Sequence, residues 1–222
     1  MNIPIPTVFQ NKPAAQIMIS YQGIEYNFYY FPLSGKTIKL IPNFTQQTGA
    51  NTLATQHICE SASSGGFYTK EDTPLGLFKV DGEILQQERK ETNLVNGFFY
   101  LDEAGNPAIN SFYMESANTI LQTGPYMPSR QPLSIMNDKQ ARRIVVFETT
   151  TGAYYIGALT AKDLFTSGPF LSQVPPILFS ITDPFSITKA LNLDGGAASF
   201  YTDKNGFTLS ELTHVGSVIC VR

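Results

Sequence analysis

The chain has no tryptophan, two cysteines and two histidines in 222 residues. A zinc centre takes three or four ligands, chiefly of those types, so no metal site is expected from them, although a divalent cation held by other groups stays open. Charge is sparse as well. Asp, Glu, Lys and Arg make up 15% of the chain, against about 25% in an ordinary soluble domain. The formal net charge is −3, and without a basic face nucleic acid is not an expected partner. No apolar run approaches the 18 or so residues that span a bilayer as a helix, so no transmembrane segment is expected. The start, Met1 to Pro6, has neither the basic nor the apolar stretch of a signal peptide. That leaves two compartments open: the cytoplasm, or export after removal of a leader. Also missing are a P-loop, G-x-G-x-x-G, H-E-x-x-H and G-x-S-x-G. His57 and His214 are isolated in sequence, and each reads as a hydrogen-bonded residue in or beside a strand.

What is present points to a packed domain. Hydrophobic residues are 42% of the chain and aromatics, all Phe and Tyr, 12%, the opposite of a disordered composition. The length fits one domain, 1–222. Cys59 and Cys220 fit either one disulfide or two buried thiols. Asn43-Phe44-Thr45 matches a glycosylation sequon, a pattern that chance often produces.

Short strand-like runs dominate. Gln16 to Tyr21 and Ile24 to Phe31 flank Gln22-Gly23 and read as a hairpin. Lys36 to Ile41 alternates and stops at Pro42. Gly76 to Val80 and Glu83 to Gln87 flank Asp81-Gly82, a tight-turn signal. Gly97 to Leu101, Ala198 to Tyr201 and Val215 to Val221 read as strands, and Ile144 to Thr149 with Tyr154 to Leu159 as a second hairpin. Helix signals are few. Thr160 is placed to cap Ala161 to Phe165, and Asp183-Pro184 to open a helix over Pro184 to Leu191. Asn43 to Thr55 and Tyr126 to Gln140 are polar and aperiodic, candidate long loops. The expectation is an α+β single domain, mostly strands in mixed or antiparallel sheets, with a few peripheral helices.

Three glycine-rich segments stand out. Ser64-Gly65-Gly66-Phe67-Tyr68 follows a strand-like run and leads to Pro74-Leu75-Gly76-Leu77. Gln122-Thr123-Gly124-Pro125 puts an amide at a strand end before a turn. Leu193-Asp194-Gly195-Gly196-Ala197-Ala198-Ser199 ends an apolar run on a carboxylate. Paired glycines let backbone N–H groups come close to a ligand.

In this order the three segments, with Asn96-Gly97-Phe98-Phe99 and Arg143 between them, resemble the phosphodiester glycosidase family, the enzymes similar to N-acetylglucosamine-1-phosphodiester alpha-N-acetylglucosaminidase. The resemblance covers roughly residues 57–222, with 1–56 as leading strands, and its most specific element is L-D-G-G. There are departures. Ser64 stands where the family usually has Asn, Phe147 stands four residues after Arg143 where Gly is usual, and Arg142 competes with Arg143 for the arginine position.

The resemblance implies hydrolysis of sugar-1-phosphodiesters, conjugates of the N-acetylglucosamine-1-phosphate type or envelope glycopolymers, at the sugar side. The residues present suit that chemistry. A phosphate monoester leaves more easily than an alkoxide, so protonating it matters less than stabilising its charge. Arg143, with Arg142 as alternative, is expected on the phosphate, because a guanidinium pairs with two phosphate oxygens. Asp194 is expected at the sugar carbon as base, nucleophile or hydroxyl ligand. Glu60 or Asp81 is the candidate second carboxylate. Ser64 and Gln122, the backbone at Gly65, Gly66, Gly195 and Gly196, and Gly124 at its turn are expected to bind substrate. No cofactor is expected. The competing reading is a non-catalytic carbohydrate- or envelope-binding domain on the same fold.

Overall fold

The computed structural model describes residues 15–90 and 92–222, so Met1 to Pro6 lies outside the described residues. The elements are, in chain order, β1 (Gln16–Tyr21), β2 (Ile24–Pro32), β3 (Ile38–Pro42), α1 (Ala50–Gln56), β4 (Ser61–Ser64), β5 (Phe78–Val80), β6 (Glu83–Gln86), β7 (Gly97–Leu101), β8 (Pro107–Asn110), β9 (Thr119–Thr123) and β10 (Tyr126–Met127). They continue with β11 (Arg143–Thr149), β12 (Tyr154–Ala161), α2 (Val174–Leu178), β13 (Ile187–Gly195), β14 (Tyr201–Asp203), β15 (Thr208–Leu209) and β16 (Ser217–Val221). Two single 3-10 turns, Leu171–Gln173 and Gly196–Ala198, sit at the ends of longer segments.

The strands form three antiparallel sheets, ordered β1-β2-β12-β11-β13-β10, β15-β14-β4-β16-β3 and β6-β5-β9-β7-β8. This is the expected class, mostly strand with little helix. The leading strands are built into the sheets, β2 beside β12 and β3 beside β16. Where the three sheets meet, each gives one face to a single core: Phe78, Phe99 and Leu121 from one, Ile144, Val146 and Leu193 from the second, Tyr201, Ile219 and Val221 from the third. On its other face the six-stranded sheet packs Val145, Phe147 and Leu159 against Val174, Ile177 and Leu178 of α2. Side chains alternate along β11, so Ile144 and Val146 face the shared core while Val145 and Phe147 face α2.

Neither expected helix forms: Lys162 to Phe165 are bend and turn beyond the end of β12, and most of Pro184 to Leu191 is strand. Thr160 and Ala161 finish β12, paired with Asn27 and Tyr26. The run Ile187 to Leu191 belongs to β13, flanked by β11 and β10 and largely buried. A strand buried on both faces loses its alternation, and its apolar run then reads as a helix equally well. Conversely, α1 overlaps Asn43 to Thr55, expected as a loop. Ala50, Leu53 and Ala54 are its buried residues, spaced one turn apart and packed on Ala62 and Val218. Its N-terminus is capped from a distance, with Ala50 N donating to Glu211 Oε1 at 2.7 Å, so no local capping residue announces it. Cys59 and Cys220 form a disulfide. Asn43 is buried with its amide on Thr48 O and Val215 O, which removes the sequon as a modification site.

Candidate functional site

The site is built around the end of β13. Opposite it on β11 the register slips by one residue: Ile144 pairs with Asp194 while Val145 pairs with Asn192. The extra residue, Leu193, makes a β-bulge, which re-aims the side chains beside it. Asp194 is thereby turned into the protein at the strand end, and only 4% of it is exposed. Its Oδ1 accepts from Gly195 N at 2.7 Å. Ser64 lies close enough to the same carboxylate to favour its charge, and its Oγ accepts from Phe200 N at 3.2 Å. Burial pushes the Asp194 carboxyl up to about 7, against the smaller pull of Gly195, Ser64, Arg142 and Arg143, which favour its charge. A carboxyl poised near neutrality is the state expected of a working acid or base.

The neighbouring arginines, one just before β11 and one its first residue, diverge. Arg142 turns to the 3-10 turn, its Nε donating to Gly196 O at 2.9 Å and its Nη2 to Ser199 O at 2.7 Å and Ala197 O at 3.3 Å. It is a clamp on the Gly196–Ser199 backbone. Arg143 turns to the other side. Its Nη2 donates to Lys139 O at 2.7 Å and stands 3.8 Å from Asp138 Oδ1, while Pro169 O lies 3.4 Å from both Nε and Nη2. Burial works against the charge of Arg143, and Asp138 and Asp194 oppose that effect. Among the described residues no protein acceptor binds its Nη1. That edge faces Gly195, where a Cβ would come within 2.7 Å of it. The missing side chain of Gly195 is what admits the guanidinium.

Arg143, Gly195 and Gly196 line a cavity of roughly 270 Å3, shared with Phe67, Asp138 and Lys139 among others. Asp194 stands on the far side of Gly195, facing Ser64. Cavities of 350 to 420 Å3 lie elsewhere; none of them touches Asp194 or either arginine, so their size carries no weight here. Among the described residues, buried polar atoms without a protein partner include Asn192 Oδ1, Ser199 Oγ and Ser217 Oγ. Ser217 Oγ presses on Gly65, where a Cβ would collide with it. Orphaned polar atoms cost about 1–3 kcal/mol each and concentrate where polarity is kept for a purpose other than stability. Among the described residues no group of three or more His, Cys, Asp or Glu is placed to hold a metal ion.

The sequence matches no family model, and no curated protein matches it. Solved structures do resemble it. One is the catalytic domain of zebrafish N-acetylglucosamine-1-phosphodiester alpha-N-acetylglucosaminidase auto-inhibited by its pro-peptide, at TM-score 0.66 and 14% identity, covering 93% of this chain and 81% of that one. A hypothetical protein from Synechocystis aligns at 0.62 and 13%, over 93% of this chain and 61% of the other. A putative exported protein from Burkholderia pseudomallei aligns at 0.59 and 10%, over 89% and 74%. At these identities the likeness is one of fold.

Several expected site residues come together: Asp194, Ser64, Arg142, Arg143, Gly195 and Gly196, with Gly65 alongside. Others do not. Glu60 lies at the opposite end of β4 from Ser64, about 13 Å along the strand, tied by its Oε2 to Lys36 and, at 3.0 Å, Lys204. Asp81 sits in the β5–β6 turn and lines a separate cavity with His57. Gln122 projects from β9 on the face opposite Leu121 and Thr123. Its Oε1 accepts from Leu77 N at 2.8 Å and Arg89 N at 2.9 Å, and its Nε2 donates to Arg89 O at 2.7 Å and Val95 O at 3.0 Å. All four bonding positions of the amide are taken, so it braces loops. Three of the four glycine amides are also engaged: Gly65 N by Ser217 O, Gly195 N by Asp194 and Gly196 N by Arg142 O. Gly124 meets the site only through its carbonyl, which accepts from Asn192 Nδ2 at 2.9 Å.

Sequence reasoning passed over Asp138, Thr123 and Tyr68 as site residues. Asp138 receives Leu171 N at 2.9 Å and Ser172 N at 2.8 Å and flanks Arg143. Thr123 Oγ1 donates to Leu193 O at 2.8 Å, holding the bulge. The Tyr68 hydroxyl donates to His214 O at 2.7 Å and lies within the field of Asp194 and Asp72. Tyr68 was legible, two residues beyond the paired glycines; Asp138 and Thr123 had no signal of their own.

Proposed function

We infer that this chain is a hydrolase that cleaves the glycosidic bond of sugar-1-phosphodiesters. The observation that carries the reading is the pairing at Gly195: a buried carboxyl poised near pH 7 on one side and a guanidinium edge without a protein partner on the other. The likeness of fold to an N-acetylglucosamine-1-phosphodiester alpha-N-acetylglucosaminidase domain supports the choice of substrate class, as do the L-D-G-G and arginine positions.

In this reading the phosphodiester anion pairs with Arg143 Nη1 at the cavity floor, and the sugar reaches past Gly195 to the residual exposed edge of Asp194. Ionised Asp194 takes a proton from water as the water oxygen bonds to the anomeric carbon. The bond from that carbon to the bridging oxygen breaks, and its electron pair leaves with the phosphate. The phosphate gains negative charge as it departs, so Arg143 binds the transition state more strongly than the ground state, which is the condition for catalysis. Asp138 holds the guanidinium in place and balances part of its charge.

The test is hydrolysis of methyl α-N-acetylglucosamine-1-phosphate in 18O-labelled water. Label in the sugar and none in the phosphate is expected, and label in the phosphate refutes cleavage at carbon. Asp194→Asn is expected to abolish turnover with the fold kept; undiminished turnover refutes its role. A second reading, a carbohydrate-binding domain without chemistry, draws on the engagement of Gln122 and three glycine amides by the protein itself. It predicts binding of the same ester without product.

A further inference from the structure

The lining of the cavity beside Arg143 contains two unlike groups of residues. One is polar, with the free guanidinium edge, Asp138 and Lys139. The other is apolar, made by Phe67, Leu94, Ile135 and Leu171. These four come from separate segments: the loop after β4, the loop before β7, the strap between β10 and β11, and the 3-10 turn before α2. Ile135 and Leu171 also pack on the core beneath α2, but Phe67 and Leu94 belong to none of the buried clusters. Core packing therefore does not account for them. Leu94 is 37% exposed, and Met136, next to Ile135, is 87% exposed. Four stretches of chain thus bring apolar side chains to the rim of a site whose floor is a cation.

A phosphodiester has a substituent on each side of its anion. With the sugar directed toward Asp194, the alcohol on the far side of the phosphate lies along this apolar wall. A second sugar or a glycerol would bring hydroxyl groups, and burying them against Phe67 and Leu94 without partners costs free energy. An alkyl chain there gains it. Resting on the sugar-1-phosphodiester reading above, we propose that the alcohol is aliphatic: the ligand is a sugar-1-phosphate ester of an alkyl alcohol, with Phe67 and Leu94 as its specificity-determining contacts.

The test measures binding apart from chemistry. Methyl, propyl, butyl and hexyl esters of α-N-acetylglucosamine-1-phosphate, with the glyceryl ester as a polar match for propyl, are titrated calorimetrically into Asp194→Asn, the variant expected not to consume them. Each methylene that reaches the wall is expected to tighten Kd about fourfold, and propyl is expected to bind more tightly than glyceryl. Leu94→Asn is expected to flatten the series, whereas Arg143→Gln weakens every member by a common factor and keeps the slope. A flat series, or glyceryl ahead of propyl, overturns the proposal. Turnover of the methyl ester by the unaltered protein reads the hydrolase assignment separately. Tightening with chain length but no turnover keeps this inference and sinks the hydrolase, and turnover with a flat series does the reverse. No binding of any member overturns this inference, and no binding together with no turnover overturns both.

Discussion

Asp194 is held at a cost, and the cost has a pH signature. Its carboxyl rises from the ordinary 3.8 to about 7 on burial. At 1.36 kcal/mol per pKa unit, that is about 4 kcal/mol against the folded state once the group must ionise. The sign follows from proton binding. Between pH 4 and 7 the folded protein holds a proton on Asp194 that the unfolded chain has released, so stability falls as pH rises across that window. The full penalty applies above pH 7, and none of it below pH 4. Asp194→Asn removes the titrating group while keeping an acceptor for Gly195 N. The variant should therefore be more stable than the parent at pH 8, by at most about 4 kcal/mol. For a chain of this size that is roughly 10 °C in Tm. The gap should shrink steadily and close near pH 4. Urea unfolding of both proteins at half-unit steps from pH 4 to 8.5 measures it. A gap that is constant with pH, or a variant less stable than the parent at pH 8, refutes the reasoning, because either result means that Asp194 is not an uncompensated buried carboxyl. A residue whose removal stabilises the fold and abolishes activity is the usual trade at a working site.

Activity carries the same titration: kcat/KM for a sugar-1-phosphodiester should fall below about pH 7 as Asp194 takes up its proton and level off above it. A flat profile from pH 5.5 to 8.5 contradicts the assignment of Asp194 as base. Gly195 adopts an extended φ of −163° that alanine tolerates, yet its Cβ would come within 2.7 Å of Arg143 Nη1. Gly195→Ala should thus cost about 10- to 100-fold in kcat/KM by displacing the guanidinium, with Tm little changed. Gln122→Leu strips two donors and two acceptors of the backbone of their partner and should cost about 3 kcal/mol or more in urea unfolding. Replacing both Cys59 and Cys220 by Ser opens a link across a sequence separation of 161 residues and should cost roughly 2–5 kcal/mol. Equal midpoints for the two forms contradict that.

The sequence by itself determined the local chemistry of this protein. Turn residues fixed the hairpins at Gln22-Gly23, Asp81-Gly82 and Thr150 to Ala153, because those backbone conformations depend on the residues that adopt them. L-D-G-G marked the strand end where the candidate site lies, since a carboxylate followed by glycine is visible without any partner. Short strand-like runs between turn signals gave the strand-rich class. Only the tertiary structure decided the rest. β13 is a strand because β11 and β10 flank it, and α1 is a helix because Glu211 caps it from across the fold. Arg142 and Arg143 cannot be ranked as neighbours in sequence, yet the fold sends one to clamp a turn and the other to a cavity. Phe147, a departure from the family pattern that bore on the active site in sequence, faces α2 and stacks on Tyr155. Gln122 and Glu60, plausible ligands by type, are occupied by backbone groups and lysines far from them along the chain. The poise of Asp194 near pH 7 is likewise a tertiary property. This aspartate has that value because burial takes its water away, and a serine, a glycine amide and two arginines restore only part of what was lost.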